Sequence, residues 1–370
     1  MKIDRLTLYH LRMPLRSPFE TSFGRISTRD CIIIEAQAND FVGFGECAAD
    51  YAPGYSYETT GTAWHVLSEF IAPAILGVEL SGALEFQERV GNIRGHAMAK
   101  AGLEMAIWDL QGKIQNQSLR QMLGGVRDKV EVGVSVGIQE SPQALVEVVQ
   151  GYVDRGYARV KIKIKPGADV TYARAVRSAF PDLRLQVDAN SAYRLDNADV
   201  LLPLDDLELL LIEQPLDEDD LWDHSRLQAS FRTAICLDES IITVRHARQA
   251  LEMGACRVIN IKAGRVGGLS TAVAIHDLCQ RRNVPVWCGG MLETGVGRAS
   301  NLALASLAGF SLPGDISATE RYYHEDIIDQ RFVLNSDSTI AVPAGPGLGV
   351  SLNRAVLDKV CMTKSNLVAL

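Results

Sequence analysis

The sequence predicts an α/β chain in which a (β/α)8-type barrel is joined to a separate α+β domain. Three observations predict it. From about residue 130 one plan recurs eight times: a short β-rich run ending in a polar residue, a loop, then a helix-like segment. Successive runs start about 25 residues apart, the length of one strand, one helix and two loops. The first 125 residues follow a different order, strands first and helices after.

The eight runs are VEVGVSVG (130–137), RVKIKIK (159–165), LRLQVDAN (183–190), LELLLIEQP (207–215), TAICLDES (233–240), RVINIKAG (257–264), VPVWCGG (284–290) and AGFSLPGD (308–315). Between them lie amphipathic stretches such as SPQALVEVVQGYVDRG, whose apolar positions recur at three and four. Strands alternating with helices imply a parallel sheet with helical crossovers. An open doubly wound sheet is the competitor, and it calls for a glycine-rich phosphate loop after its first strand. The glycine-rich GRVGG (264–268) instead follows the sixth run.

Ahead of the barrel, LTLYHLRMPL, CIIIEAQAND and FVGFGECA read as strands, and HAMAKAGLEMAIWDLQGKI (96–114) as a helix. The expected division is an α+β domain over 1–125, the barrel over 126–320, and a C-terminal segment over 321–370. That last segment contains the turn-rich FVLNSDSTIAVPAGPGLGV and is expected to pack back on the first domain.

Composition narrows the function classes. Hydrophobic residues make up 47% and charged residues 22%, an ordinary globular balance with material for a large core. The net charge of -8 argues against nucleic acid as the main partner. There is no run of eighteen apolar residues for a membrane span, and the N-terminal stretch alternates like a strand rather than reading as a signal peptide. Seven scattered cysteines without CxxC fit free thiols in a cytoplasmic setting. The seven histidines form no HExxH, so a histidine zinc site has little support.

The chemistry lies at the ends of the runs. LQVDAN ends at Asp188, LLIEQP at Glu213 and ICLDES at Asp238, each 25 residues after the one before. Barrel active sites are built at the C-terminal ends of strands. Neighbouring parallel strands lie about 4.8 Å apart, so equivalent positions bring three carboxylates around one point. A hard divalent cation relieves their repulsion, and all-oxygen ligands suit Mg²⁺. The plainer alternative is that each acid caps the following helix.

RVKIKIKPG (159–167) places Lys161, Lys163 and Lys165 at every second position. An edge strand can carry lysines on its wet face to discourage aggregation. Just before the strand of Asp188, however, Lys161 and Lys163 are expected to face the barrel mouth, with Lys165 nearer the loop and solvated. Two such lysines about 7 Å apart repel by ~2.4 kcal/mol, which lowers a pKa by nearly two units. A lysine so lowered can act as a base. RVINIKAG brings Lys262 to the sixth strand end, with Asn260 on the same face. Opposed lysines across a metal suit removal of a proton alpha to a carboxylate, whose enediolate product needs positive charge nearby.

With these residues in view, the chain resembles the enolase superfamily in its muconate lactonizing enzyme subgroup. The marks are the KxK of Lys161-Ile162-Lys163, the acids Asp188, Glu213 and Asp238, and Lys262. Longer motifs resemble its o-succinylbenzoate synthase/N-acylamino acid racemase family: LRSPFETSFG (15–24), GVSVGI (133–138), IKAGRVGGLS (261–270), GGMLETGVGRASNLALASL (289–307) and PGDISATERYYHEDII (313–328). Ala263 stands where many relatives have proline. The resemblance covers essentially the whole chain. It implies a (β/α)7β form of the barrel, a capping role for the first domain, and Mg²⁺, with Mn²⁺ as a substitute, on the three acids.

The same resemblance implies roles for side chains. Lys163 is the base in a dehydration and Lys262 the cation beside the developing anion, the two working as a pair on opposite faces in racemisation. Lys161 holds the substrate carboxylate. Phe19, Phe23 and Tyr55 close over the site from a capping loop, with ordinary core packing as their alternative. Ser135, Asn190, Gly290 and Met291 line the pocket, and Arg265 is similar to an arginine of racemising members. The implied partner is a small-molecule carboxylate, and a homo-oligomer is expected. Another muconate-lactonizing-type cycloisomerase, a dipeptide epimerase or a non-catalytic binding barrel are the alternatives.

Overall fold

The computed structural model describes residues 1–369. The first domain opens with an antiparallel meander, β1 (Arg5–Thr21), β2 (Gly24–Ala38) and β3 (Phe41–Cys47). Its β-branched run Ile32-Ile33-Ile34 is fully buried, which fixes β2 as the central strand. Helices α1 (Thr60–Val66), α2 (Ala72–Ile75), α3 (Ala83–Arg89), α4 (Ala97–Gln115) and α5 (Leu119–Leu123) follow, with a π-helical turn at Leu67–Ile71 joining the first two. Helix α4 lies directly on β3 because glycines let the backbones touch. A Cβ at Gly45 would sit 2.0 Å from the carbonyl oxygen of Gly102, and one at Gly43 2.1 Å from that of Ala106.

The expected capping loop is a β-hairpin. Strands β1 and β2 run on past their buried halves, with a register shift between Pro14 and Phe19, to a turn at Ser22 and Phe23. The tip is tied to the next domain. Ser22 Oγ donates to Asn190 O at 2.8 Å, Ile138 N donates to Glu20 O at 3.0 Å, and Lys165 Nζ pairs with Glu20 at 3.0 Å. Lys165, expected in solvent, therefore bridges the two domains.

After the short β4 (Lys129–Glu131) comes the barrel: β5 (Val134–Val136), α6 (Pro142–Val153), β6 (Arg159–Lys163), α7 (Val170–Ala179), β7 (Arg184–Asp188), β8 (Ile212–Glu213), α8 (Leu221–Ser230), β9 (Ile235–Leu237), α9 (Val244–Met253), β10 (Val258–Ile261), α10 (Leu269–Arg281), β11 (Val286–Cys288) and α11 (Gly295–Ala305). The crossover between β7 and β8 is a 3-10 segment, Leu195–Leu207, where Pro203 and the Asp-rich sequence disfavour an α-helix. Strands β5 to β11 form one parallel sheet in sequence order. The eighth run closes it without becoming a regular strand. Phe310 bridges to Val286 on one edge and Gly314 to Val132 on the other. Seven crossovers thus join eight barrel segments, the (β/α)7β form.

The C-terminal residues divide between both domains. Strand β12 (Thr339–Ala341) pairs with β4 of the barrel, so the turn-rich stretch covers the barrel as well as the first domain. Gly347 docks on α4, with Leu348 N donating to the buried Asp109 at 2.7 Å. Helix α12 (Arg354–Val360) leads to β13 (Cys361–Val368), which adds antiparallel to β1 as the sheet's outer strand.

Candidate active site

Strand register sets the site. Lys163 is paired with Asp188 across β6 and β7, and Asp188 with Glu213 across β7 and β8. Asp238 follows the last residue of β9. Because the strands are parallel and in step, the three acids emerge at one level of the barrel. One carboxylate oxygen from each lies within 4.8 Å of the others, and all three side chains are fully buried.

Cations surround the acids. Lys161 Nζ donates to Glu213 Oε2 at 2.9 Å and lies 3.1 Å from Asp188 Oδ2. Lys163 Nζ is 2.6 Å from both Asp188 Oδ2 and Asn190 Oδ1. Lys262 Nζ, at the end of β10, donates to Asp238 Oδ2 at 2.7 Å and to the Tyr55 hydroxyl at 3.1 Å. Asn260 Nδ2 donates to Glu213 Oε1 at 2.7 Å, and Tyr55 Oη to Asp238 Oδ1 at 2.8 Å.

Lys161 departs from the expectation of a lowered pKa. Burial does lower Lys161, but Asp315, Glu213 and Asp188 outweigh it and hold the ammonium well above its usual range. Lys262 is likewise lowered by burial and raised further by Asp238. Each ammonium has carboxylates closer than its fellow lysine, so attraction beats the repulsion. Among the acids, burial would raise Asp188 and Asp238. Lys163 and Lys161 pull the first below the ordinary carboxylate range, and Lys262 and Arg265 the second. Glu213 stays well above that range, pushed by burial and by Asp188.

A divalent metal ion fits this cluster. Three hard oxygen donors converge in a buried place, and burial together with Asp188 works against the negative charge of one of them, Glu213. Such an ion bound to these oxygens would supply compensating positive charge, and it would push the lysines towards the neutral, basic form.

Above the acids lies a cavity of about 340 Å³ between the domains. Its floor holds Lys161, Lys163, Lys262 and Asn190, with Ser135 at one side. Gly290 and Met291 form a wall after β11. Phe19, Phe23 and Tyr55 come from the first domain. The two phenylalanines differ. Phe19 is buried, edge-on to Tyr322 at 6.5 Å, whereas Phe23 at the hairpin tip is 45% exposed and edge-on to Tyr55 at 6.4 Å. Arg265, expected at the substrate, is outside the cavity lining. Its guanidinium is buried beneath Asp238, to which it donates, and also holds Asn260 O at 2.6 Å and Ile241 O at 2.8 Å.

Three buried polar groups here were not singled out in the sequence. Asp315, ending the eighth run, lies 2.9 Å from Lys161 Nζ, 2.6 Å from Ser135 Oγ and 2.6 Å from Arg159 Nη1. Its signal was available, since the third, fourth and fifth runs also carry an acid near their ends. Arg159 starts β6 and spans the barrel interior to the eighth segment. Glu239, next to Asp238, accepts from Asn190 Nδ2 at 2.8 Å.

Comparison with known proteins agrees with this architecture. Residues 4–124 match the model of the mandelate racemase / muconate lactonizing enzyme N-terminal domain, and residues 144–356 that of the enolase C-terminal domain-like family. The chain is 49% identical over 360 residues to an o-succinylbenzoate synthase of Geobacillus kaustophilus, covering 97% of this chain and 96% of the relative. It is 47% identical over 365 residues to an N-succinylamino acid racemase of Amycolatopsis sp, covering 98% and 99%. The crystal structure of an enolase superfamily member from Listeria innocua superposes with a TM-score of 0.95 at 41% identity, covering 100% and 99% of the two chains. The chain belongs to the mandelate racemase/muconate lactonizing enzyme family of the enolase superfamily, in its muconate lactonizing enzyme subgroup.

Proposed function

We propose that the protein removes a proton alpha to a carboxylate, with Mg²⁺ held by Asp188, Glu213 and Asp238. The reactions are dehydration of 2-succinyl-6-hydroxy-2,4-cyclohexadiene-1-carboxylate to o-succinylbenzoate and racemisation of N-succinylamino acids. Both substrates present a carboxylate, an alpha proton and a succinyl arm. Relatives of almost equal identity carry the two names, which supports both activities on one site.

The observation that carries the reading is the placement of two lysines. Strands β6 and β10 are four steps apart among eight segments, so Lys163 and Lys262 approach one cavity from opposite sides. In the dehydration, Lys163 takes the alpha proton while the Lys262 ammonium faces the developing negative charge. The bond from the neighbouring carbon to its hydroxyl then breaks as the protonated Lys163 gives its proton to the leaving oxygen, and water departs. In racemisation, one lysine takes the proton and the other delivers one to the opposite face. Lys161 draws the substrate carboxylate to the floor. The metal, when bound, supplies positive charge to the carboxylate oxygens as the enediolate forms.

The proposed setting is the cytoplasm, with the synthase reaction serving menaquinone formation and the protein working as a homo-oligomer. Among the described residues no helix is long and apolar enough to cross a membrane. The direct test offers purified protein and Mg²⁺ each substrate in turn, followed by absorbance for the diene and by polarimetry for the N-succinylamino acid. Turnover of both is expected. Turnover of neither would overturn the reading.

A further inference from the structure

Lys163 is held by a side chain that is itself held. Its Nζ lies 2.6 Å from Asn190 Oδ1. Asn190 and Ser191 have φ values of 42° and 60°, in the left-handed region, which folds the amide back over the end of β7. An ammonium carries only donors, so the amide oxygen must face Lys163 and the amide nitrogen must face away. On that far side the nitrogen meets Glu239 Oε1 at 2.8 Å. Glu239 is buried, and its other oxygen has no hydrogen-bond partner among the described residues. The carboxylate's one side-chain contact is therefore the one that sets which way the Asn190 amide faces.

Lys262 makes no hydrogen bond to this pair, although its charge is felt at Glu239. Asp238 and the Tyr55 hydroxyl hold it instead. The two lysines thus have separate hydrogen-bond supports. We infer that Glu239 is a positioning residue for Lys163, acting through Asn190 by fixing the orientation of its amide. Without the carboxylate, the amide is free to turn its nitrogen towards the ammonium, which displaces the lysine. The inference rests on the reading that each lysine serves one face of the alpha carbon.

That dependence gives a test that a merely structural role would not pass. Exchange of the alpha proton for deuterium is followed by NMR, separately for the two enantiomers of an N-succinylamino acid, with Mn²⁺ affinity measured by calorimetry on the same samples. Glu239→Ala is expected to slow exchange of one enantiomer by about a hundredfold, the scale of a misplaced catalytic group, and to leave the other near the wild-type rate. Glu239→Gln, whose amide oxygen accepts the same bond, is expected to restore the lost exchange. Mn²⁺ affinity is expected to be unchanged in both. Should Glu239→Ala fail to fold, Glu239→Met, which fills much of the same volume but accepts no hydrogen bond from the amide, predicts the same one-sided loss. Equal slowing of both enantiomers, no slowing of either, or a loss of Mn²⁺ affinity that accounts for the slowing would overturn the inference alone. Wild-type protein that exchanges neither enantiomer would overturn the underlying two-lysine reading and the inference with it.

Discussion

The floor and the roof of the cavity are built on different principles. On the floor, Lys161, Lys163, Lys262 and the three acids stand at strand ends, at most 9% exposed, and each is fixed by register and by at least one charged partner. On the roof, Phe23 is 45% exposed on a hairpin turn, and Tyr55 sits in a loop without regular structure. A parallel sheet permits no slip without moving every side chain, so charge is placed accurately there. A hairpin tip can change residue or position at little cost to the core. Under the proposed mechanism, bond-breaking belongs to the floor and choice of the substrate's arm to the roof.

Metal removal should produce the largest effect, and only through the floor. Exhaustive chelation is expected to abolish turnover, and Mg²⁺ or Mn²⁺ to restore it. Glu213→Gln is expected to weaken metal binding in calorimetry while leaving the melting temperature near that of the wild type, because the residue lies at the barrel mouth and not in its packed layers. Full activity in metal-free protein would break the floor's side of the comparison. The lysines come next. Lys163→Ala should reduce the dehydration rate by about 10²–10⁴-fold, the usual worth of a general base. Lys262→Ala should cost about 10²–10³-fold, as for loss of a cation aimed at developing charge. Steady-state kinetics on both variants checks the pair.

Roof substitutions should act on KM. Phe23→Ala is expected to raise KM for a bulky N-acyl substrate with kcat and melting temperature unchanged, since its ring is half in water. Phe19→Ala should raise KM and also cost about 3 kcal/mol of stability in denaturant titration, because its ring is a packed wall. A Phe23 variant that loses kcat alone would blur the division between the two regions.

The smallest effect on activity is expected where the two domains meet. Glu46 on β3 accepts from Thr294 N and Gly297 N at the start of α11, and Glu104 on α4 accepts from Ser270 N at the start of α10. Burial pushes both carboxyls from 4.5 up to about 7, with Glu293 adding to the push on Glu46. The folded chain therefore holds protons that the unfolded chain has released. Stability from these groups is fully present below about 4.5 and is lost as pH rises through about 7. Glu104→Gln should raise the melting temperature at pH 8 relative to the wild type and flatten its fall between pH 5 and 8. The expected gain is on the order of 2–3 kcal/mol.

Much of the floor was legible in the sequence, and for a physical reason. A buried strand writes its length and period into the chain, so the ends of LQVDAN, LLIEQP, ICLDES and RVINIKAG could be aligned before any contact was known. What stayed hidden depends on contacts between distant segments. Tyr55 reaching Asp238 and Ser22 reaching Asn190 O have no local signature. The hairpin read as a loop because SPFETSF lacks alternation. Arg265 is singled out by its likeness to an arginine of racemising members, yet the turn after β10 sends it beneath Asp238 and out of the cavity lining. The pKa of Lys161 runs opposite to the expectation because its lysine neighbour is visible in its own strand, while its carboxylate partners come from other strands.

Action of Lys163 and Lys262 on opposite faces of one alpha carbon is the core of the proposed mechanism. It is tested most directly by alpha-proton exchange in D₂O with the two single variants, using each enantiomer of an N-succinylamino acid. Lys163→Ala and Lys262→Ala are both expected to abolish racemisation, yet each to retain exchange of one enantiomer, the retained enantiomers being opposite. Wild-type exchange of both enantiomers by both variants would contradict it and place the base elsewhere.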